Sequence, residues 1–142
     1  MIQDSASVLG LVALAVLVGG MIFFAAIMAP AIFTKLEPAV AGRFIRQVFP
    51  RYYAFMIITA AVSAVGFGVV DPWLGLVMAV IAVATVWLRQ GLMPAINRCR
   101  DAELAGDISA GSRFKMLHQL SVVVNITQLI AAIGVLTRVA LH

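Results

Sequence analysis

His118, Ser121, Asn125 and Gln128 follow one another at intervals of three, four and three residues in the stretch GSRFKMLHQLSVVVNITQ. On a helix that spacing predicts one shared face. A row of hydrogen-bonding groups is costly in lipid unless it turns toward protein or water. The four residues therefore read as an inward-facing row and as candidate substrate-binding groups. Imidazole changes charge near neutral pH, and His118 is the one ionisable group embedded in the apolar part of this run. Hydroxyl and carboxamides add neutral donors and acceptors. At a helical rise of about 1.5 Å per residue, Asn125 lies roughly 10 Å deeper than His118. The topology derived below brings Tyr52, Tyr53 and Arg89 to the level of His118, with Arg51 and Gln90, and they join the candidate set. A purely structural role competes with this reading, since intramembrane hydrogen bonds typically hold helices together with about 0.6 kcal/mol each.

Other chemistries find less support. No nucleophile, base and acid line up, because Ser121 beside His118 has no carboxylate to orient the imidazole. No catalytic residue is assigned. Heme would need axial ligands, and the two histidines, His118 and His142, sit about 36 Å apart on one helix. Two copies of His118 across a dimer axis, or one histidine with a methionine, would be required. Copper would use Met116 and His118, although methionine in apolar helices is commonly a packing residue. No cofactor is firmly implied. The single cysteine, Cys99, excludes an intramolecular disulfide and a Cys-rich metal site.

The frame that must position these groups is a membrane one. Of 142 residues, 63% are hydrophobic and 11% charged, with mean hydropathy +1.09; a soluble domain carries about 25% charged residues. A spanning helix needs about 20 apolar residues. Four such runs fit into a single four-helix domain, 1–142, leaving no room for a soluble one. The N-terminal MIQDSAS lacks the positive region of a secretory signal, so the first run is kept as a mature helix.

The pattern predicts a first helix from about Ser7 to Ala29, reaching Phe33 at most, ended or kinked by Pro30. Gly19, Gly20, Ala25 and Ala29 are its expected packing residues. A short interfacial amphipathic helix is expected between Glu37–Pro38 and Pro50, with Val40, Phe44, Ile45 and Val48 on one face. The second helix runs from about Tyr52 to Val70, with Thr59 and Ser63 bonded back to its own carbonyls. Asp71 and Pro72 cap a third helix to about Leu88, which can extend through Gly91 and Pro94 to Leu104. Turns are expected at Ala105-Gly106-Asp107 and Ala110-Gly111, and a fourth helix from Ser112 to about Leu141.

Lys35, Arg43, Arg46, Arg51, Arg89, Arg98, Arg100, Arg113 and Lys115 fall in the two long connections, against Arg138 alone on the other side. The positive-inside rule then puts both termini outside the cytosol, in a multi-pass protein of the cell (inner) membrane. The net charge of +4 is explained by topology and lipid headgroups, so nucleic acid is set aside.

Three pieces carry a resemblance: Gly19-Gly20-Met21 through Ala29-Pro30 and Phe33, then Val48-Phe49-Pro50-Arg51-Tyr52-Tyr53, then Phe114, Leu117, His118, Ser121 and Asn125 in the fourth helix. In this order the chain resembles the transmembrane protein 205-like family, also catalogued as a bacterial domain of unknown function. The resemblance implies a compact four-helix membrane protein and supplies no activity. Three function classes follow: a small transporter or exporter of a solute or metal ion, working as a homo-oligomer; a non-catalytic accessory subunit of a larger membrane complex; and a heme- or copper-binding redox protein.

Overall fold

The computed structural model describes residues 2–141, and their side chains from Ser5 onward. His142, weighed above as a heme ligand, lies outside the described residues. Four helices are long and apolar enough to cross a membrane: α1 Ser5–Lys35, α2 Pro38–Gly68, α3 Pro72–Leu104 and α4 Ile108–Leu141. No strand occurs among the described residues. The protein is an all-α polytopic membrane protein. Its outer surface, including Ile58, Val65, Val80, Val83 and Ile130, is apolar and faces lipid. Helices of 31 to 34 residues measure about 46–51 Å, against about 30 Å of hydrocarbon.

Helix α1 packs on α2 and α4, and α3 packs on α2 and α4. Consecutive helices are thus neighbours, and the ring closes between α4 and α1. The core between them is built by Leu14, Leu17 and Met21 of α1, Tyr53, Met56 and Ala60 of α2, Met78, Ile81 and Leu88 of α3, and Ala132 and Val135 of α4.

Of the glycines expected to pack, Gly20 does so, since a Cβ there would lie 2.5 Å from the Phe55 ring, but the closest backbone approach comes from another pair. A Cβ on Gly66 would lie 2.7 Å from both the Gly10 Cα and the Ala6 carbonyl oxygen, so α1 and α2 touch backbone to backbone there. Ser63 uses that proximity and donates to the Gly10 carbonyl at 3.0 Å. Its hydroxyl therefore bridges helices rather than bonding back, whereas Thr59 does bond back to Phe55 at 2.8 Å. Gly19 has open space beside it and Ala25 is exposed. The inward face of α1 runs Gly10, Leu14, Leu17, Met21, and Gly19 and Ala25 fall out of phase with it.

The prolines mark boundaries less often than expected. Pro50 lies inside α2, which is continuous from Pro38 to Gly68. The expected separate interfacial helix is instead the first turns of this span. Pro30 does not end α1 either. It is preceded by a π turn, Phe24–Met28, in which the Ala29 N–H donates to the Phe24 carbonyl. Pro94 in α3 follows the same rule: the Leu88–Leu92 π turn precedes it, with the Met93 N–H donating to the Leu88 carbonyl. Proline lacks a donor and crowds the carbonyl four residues back. A widened turn just before it relieves the crowding and lets the helix continue.

The reversal between α2 and α3 follows the sequence. The Asp71 carboxylate accepts from the Trp73 N–H (3.0 Å) and the Leu74 N–H (3.3 Å). At the other end, Gly106 takes φ +105°, a left-handed conformation suited to glycine. The next helix is capped by Asp107, whose side chain accepts from the Ser109 N–H (3.0 Å) and hydroxyl (2.6 Å). Helix α4 thus starts at Ile108, and Ala110-Gly111 is helix rather than turn. A Cβ on Gly111 would lie 2.7 Å from the Glu103 carboxylate, which would have to swing aside.

Candidate functional site

Helix α4 turns Ser121 and Gln128 fully inward, at 7% and 5% exposure. Asn125 is half-buried between them, while His118 is exposed. Rotation explains the split. At 100° per residue, His118 stands about 60° from Ser121 and about 80° from Gln128 around the axis, and Asn125 about 20° from His118. The packed face centres on Ser121, Gln128, Ala132 and Val135, and His118 falls beyond its edge. The expectation that all four point inward holds for three. His118 instead stacks on Phe114, with centroids 5.9 Å apart, and the Arg100 guanidinium covers that ring from 5.4 Å.

The inward groups tie α4 to its neighbour α3 and, across the bundle, to α2. Gln128 Nε2 donates to the Ile81 carbonyl (3.2 Å) and to Thr85 Oγ1 (3.0 Å) on α3. Thr85 in turn donates to Ile81 O at 2.7 Å. Asn125 Nδ2 donates to the Ser121 carbonyl (3.1 Å) and reaches Tyr53 Oη (3.4 Å) across the bundle on α2. Ser121 donates to the His118 carbonyl at 2.7 Å. The backbone carbonyls of Ser121 and Ile81 fix which end of each carboxamide is nitrogen. The oxygens are then left over: Asn125 Oδ1 and Gln128 Oε1 are buried acceptors that no donor among the described residues reaches.

Tyr53 is 2% exposed and belongs to an aromatic group at the basic end. Tyr52 stacks on Phe24 at 4.4 Å, and Phe49 meets both tyrosines edge-on or tilted, at 6.0 and 5.5 Å. Phe24 opens the α1 π turn, so the irregularity beside Pro30 positions a ring of this cluster. Arg89 opens onto the same place: its Nε donates to the Pro50 carbonyl at 3.2 Å. Tyr52 and Tyr53 share the aromatic cluster, and Arg89 reaches the same helix two residues before Tyr52, at the Pro50 carbonyl. Arg51 and Gln90 are exposed and stand apart.

Thr85 is the interior residue that the sequence reading passed over. Its signal was present, as the only hydroxyl in the run PWLGLVMAVIAVATVW. The proposed metal donors do not gather. Met116 is 61% exposed, and three of the other methionines that could have joined His118, namely Met21, Met56 and Met78, are core residues. Among the described residues no three His, Cys, Asp or Glu side chains come together.

The fold and its interior row define a small integral membrane protein of four lipid-facing helices around a neutral polar centre. The chain belongs to the family described as a domain of unknown function (DUF4149), matched over residues 12–104. The matched region holds Tyr53, Thr85 and Arg89; Asn125 and Gln128 lie beyond it. The match carries the uncharacterised domain and not the transmembrane protein 205-like name. No curated protein and no solved structure matches the chain.

Proposed function

We propose that the protein passes a small polar solute across the cell membrane by way of the interior row Ser121, Asn125 and Gln128, with Tyr53 alongside. One observation carries the reading: two buried carboxamide oxygens, three residues apart on one helix face, have no protein donor. Groups that serve only to hold helices together gain by pairing every atom, because an unpaired acceptor in an apolar interior costs about 1–3 kcal/mol. The nitrogen ends do bind the helices. The oxygen ends are left for something else.

The cation distribution supports a basic end in the cytosol and both termini outside it. His118 and Phe114 then lie near the cytosolic surface, and Tyr53 and Arg89 between that surface and the row.

Cysteine accessibility tests the reading. In a Cys99→Ser background, Asn125→Cys is exposed to a membrane-impermeant thiol reagent in inside-out and right-side-out vesicles. Labelling from the basic side is expected. If the native Cys99 labels from that side and Asn125→Cys labels from neither, the row is sealed and the proposal fails.

A further inference from the structure

Resting on that reading, the hydrogen-bonding inventory of the row narrows the solute. Every nitrogen donor in it is already used. Asn125 Nδ2 serves Ser121 O and Tyr53 Oη, and Gln128 Nε2 serves Ile81 O and Thr85 Oγ1. The hydroxyls of Thr85 and Ser121 donate to Ile81 O and His118 O. Two acceptors remain, Asn125 Oδ1 and Gln128 Oε1. Residues three apart on a helix have Cβ atoms about 5–6 Å apart, so one small molecule can meet both. A single donor also remains. Tyr53 Oη accepts from Asn125, and its own proton has no acceptor among the described residues.

Charge gives the second restriction. Ser121, Asn125, Gln128, Tyr53 and Thr85 are all neutral side chains. Arg89 uses its Nε on the Pro50 carbonyl and keeps its positive charge, and His118 faces outward. A cation would enter this centre with no counter-charge, at a cost of several kcal/mol, and the Arg-rich end of the bundle would repel it. An anion would find two oxygen lone pairs facing it. A neutral molecule with N–H donors and one carbonyl acceptor matches both restrictions.

We infer that the row takes a small neutral solute of the primary amide or urea class, its N–H groups donating to Asn125 Oδ1 and Gln128 Oε1 and its carbonyl accepting from Tyr53 O–H. The probes are urea and formamide, followed by stopped-flow light scattering in proteoliposomes, with methylammonium chloride and potassium chloride as charged comparators. Urea or formamide flux above that of protein-free liposomes is expected, with no flux of either salt above background. Gln128→Met, close in shape, removes the oxygen along with the Nε2 bonds to Ile81 and Thr85, and should slow amide flux by at least about tenfold. Gly19→Ala, on the lipid side, should leave it unchanged. Helicity and elution of each variant in detergent separate loss of the site from loss of the fold. If Gln128→Met does not fold, Tyr53→Phe, which removes the donor together with the long 3.4 Å contact from Asn125 Nδ2, must slow flux in its place.

Labelling of Asn125→Cys together with salt flux and no amide flux would overturn the solute class and leave the pathway standing. Amide flux that is equal in wild type, Gln128→Met and Tyr53→Phe would overturn the inference. Absence of both labelling and flux would remove the pathway and the solute class together.

Discussion

Gln128 of α4 and Thr85 of α3 meet amide to hydroxyl at 3.0 Å, and the same amide nitrogen reaches the Ile81 carbonyl. Both side chains are buried within the span, Thr85 completely. The contact fixes the rotation of α4 against α3, and with it the direction in which the unpaired Gln128 oxygen points. Thr85 is thereby a positioning residue, although its own sequence context is entirely apolar.

The pairing has a measurable size. Thr85→Val keeps the shape and removes the hydroxyl. It should destabilise the detergent-solubilised protein by about 0.6–1.7 kcal/mol, the range of membrane hydrogen bonds. In a double-mutant cycle with Gln128→Leu, the coupling should be about 0.6 kcal/mol or more. Additive effects of the two substitutions would mean that the contact contributes nothing.

Much of this architecture is legible in the chain because membrane physics leaves few options. Four apolar runs must be helices, and Asp71-Pro72 must cap one of them. The polar row on α4 is legible for the same reason. Its exact rotation is not. His118 lies only about 20° from Asn125 on a helical wheel, yet one is exposed and the other is half-buried. Periodicity sets a face to within about one residue's width, and the edge of that face depends on what α1 and α3 place against it. Two prolines, Pro30 and Pro50, were misread as helix ends for a different reason. A rule that ends helices at proline fails at Pro50, which lies inside a continuous helix, and at Pro30 it omits the π turn that lets the helix run on; the continuation through Pro94 is as expected.

Glycine positions illustrate the same limit and give a second prediction. Gly66 and Gly19 look equivalent in sequence, each within an apolar helix. At Gly66 an added methyl would collide with backbone of α1 at 2.7 Å; beside Gly19 there is nothing within 4 Å. Gly66→Ala must push α1 and α2 apart and strain the Ser63–Gly10 bond, so a loss of about 1–3 kcal/mol is expected. Gly19→Ala should be neutral or stabilising by up to about 1 kcal/mol through helix propensity. Thermal unfolding in one detergent compares them directly; equal effects would contradict the packing described.

At the end opposite the basic segments, Asp71 has two partners. Its Oδ1 caps α3, and its Oδ2 faces the Arg138 guanidinium at 3.4 Å. The ion pair is largely exposed, and exposed pairs contribute about 0–1 kcal/mol. The cap holds two backbone N–H groups that have no other partner in the first turn. Asp71→Ala should therefore cost about 1 kcal/mol, and Arg138→Gln less than about 0.5 kcal/mol. The reverse order would show that the charge pair, not the cap, dominates this reversal.

The cap at the start of α4 makes stability depend on acid. Asp107 accepts from the hydroxyl and N–H of Ser109, and these bonds, with a smaller contribution from the Arg113 charge, hold its carboxyl below the usual carboxylate range. A group whose pKa is lowered by folding binds its proton more weakly in the folded state. Its contribution is therefore present above the unfolded value of about 3.9 and is lost as pH falls through the lower, folded value. Wild type should be more stable than Asp107→Ala at pH 7, and the gap should close as pH drops below about 4. Asp107→Asn retains a capping oxygen without a charge, so its advantage over alanine should stay level across the same pH range. Unfolding midpoints of the three proteins between pH 7 and pH 3 decide the matter. A wild-type advantage over alanine that persists unchanged at pH 3 would show that the ionised carboxylate is not what anchors the first turn of α4.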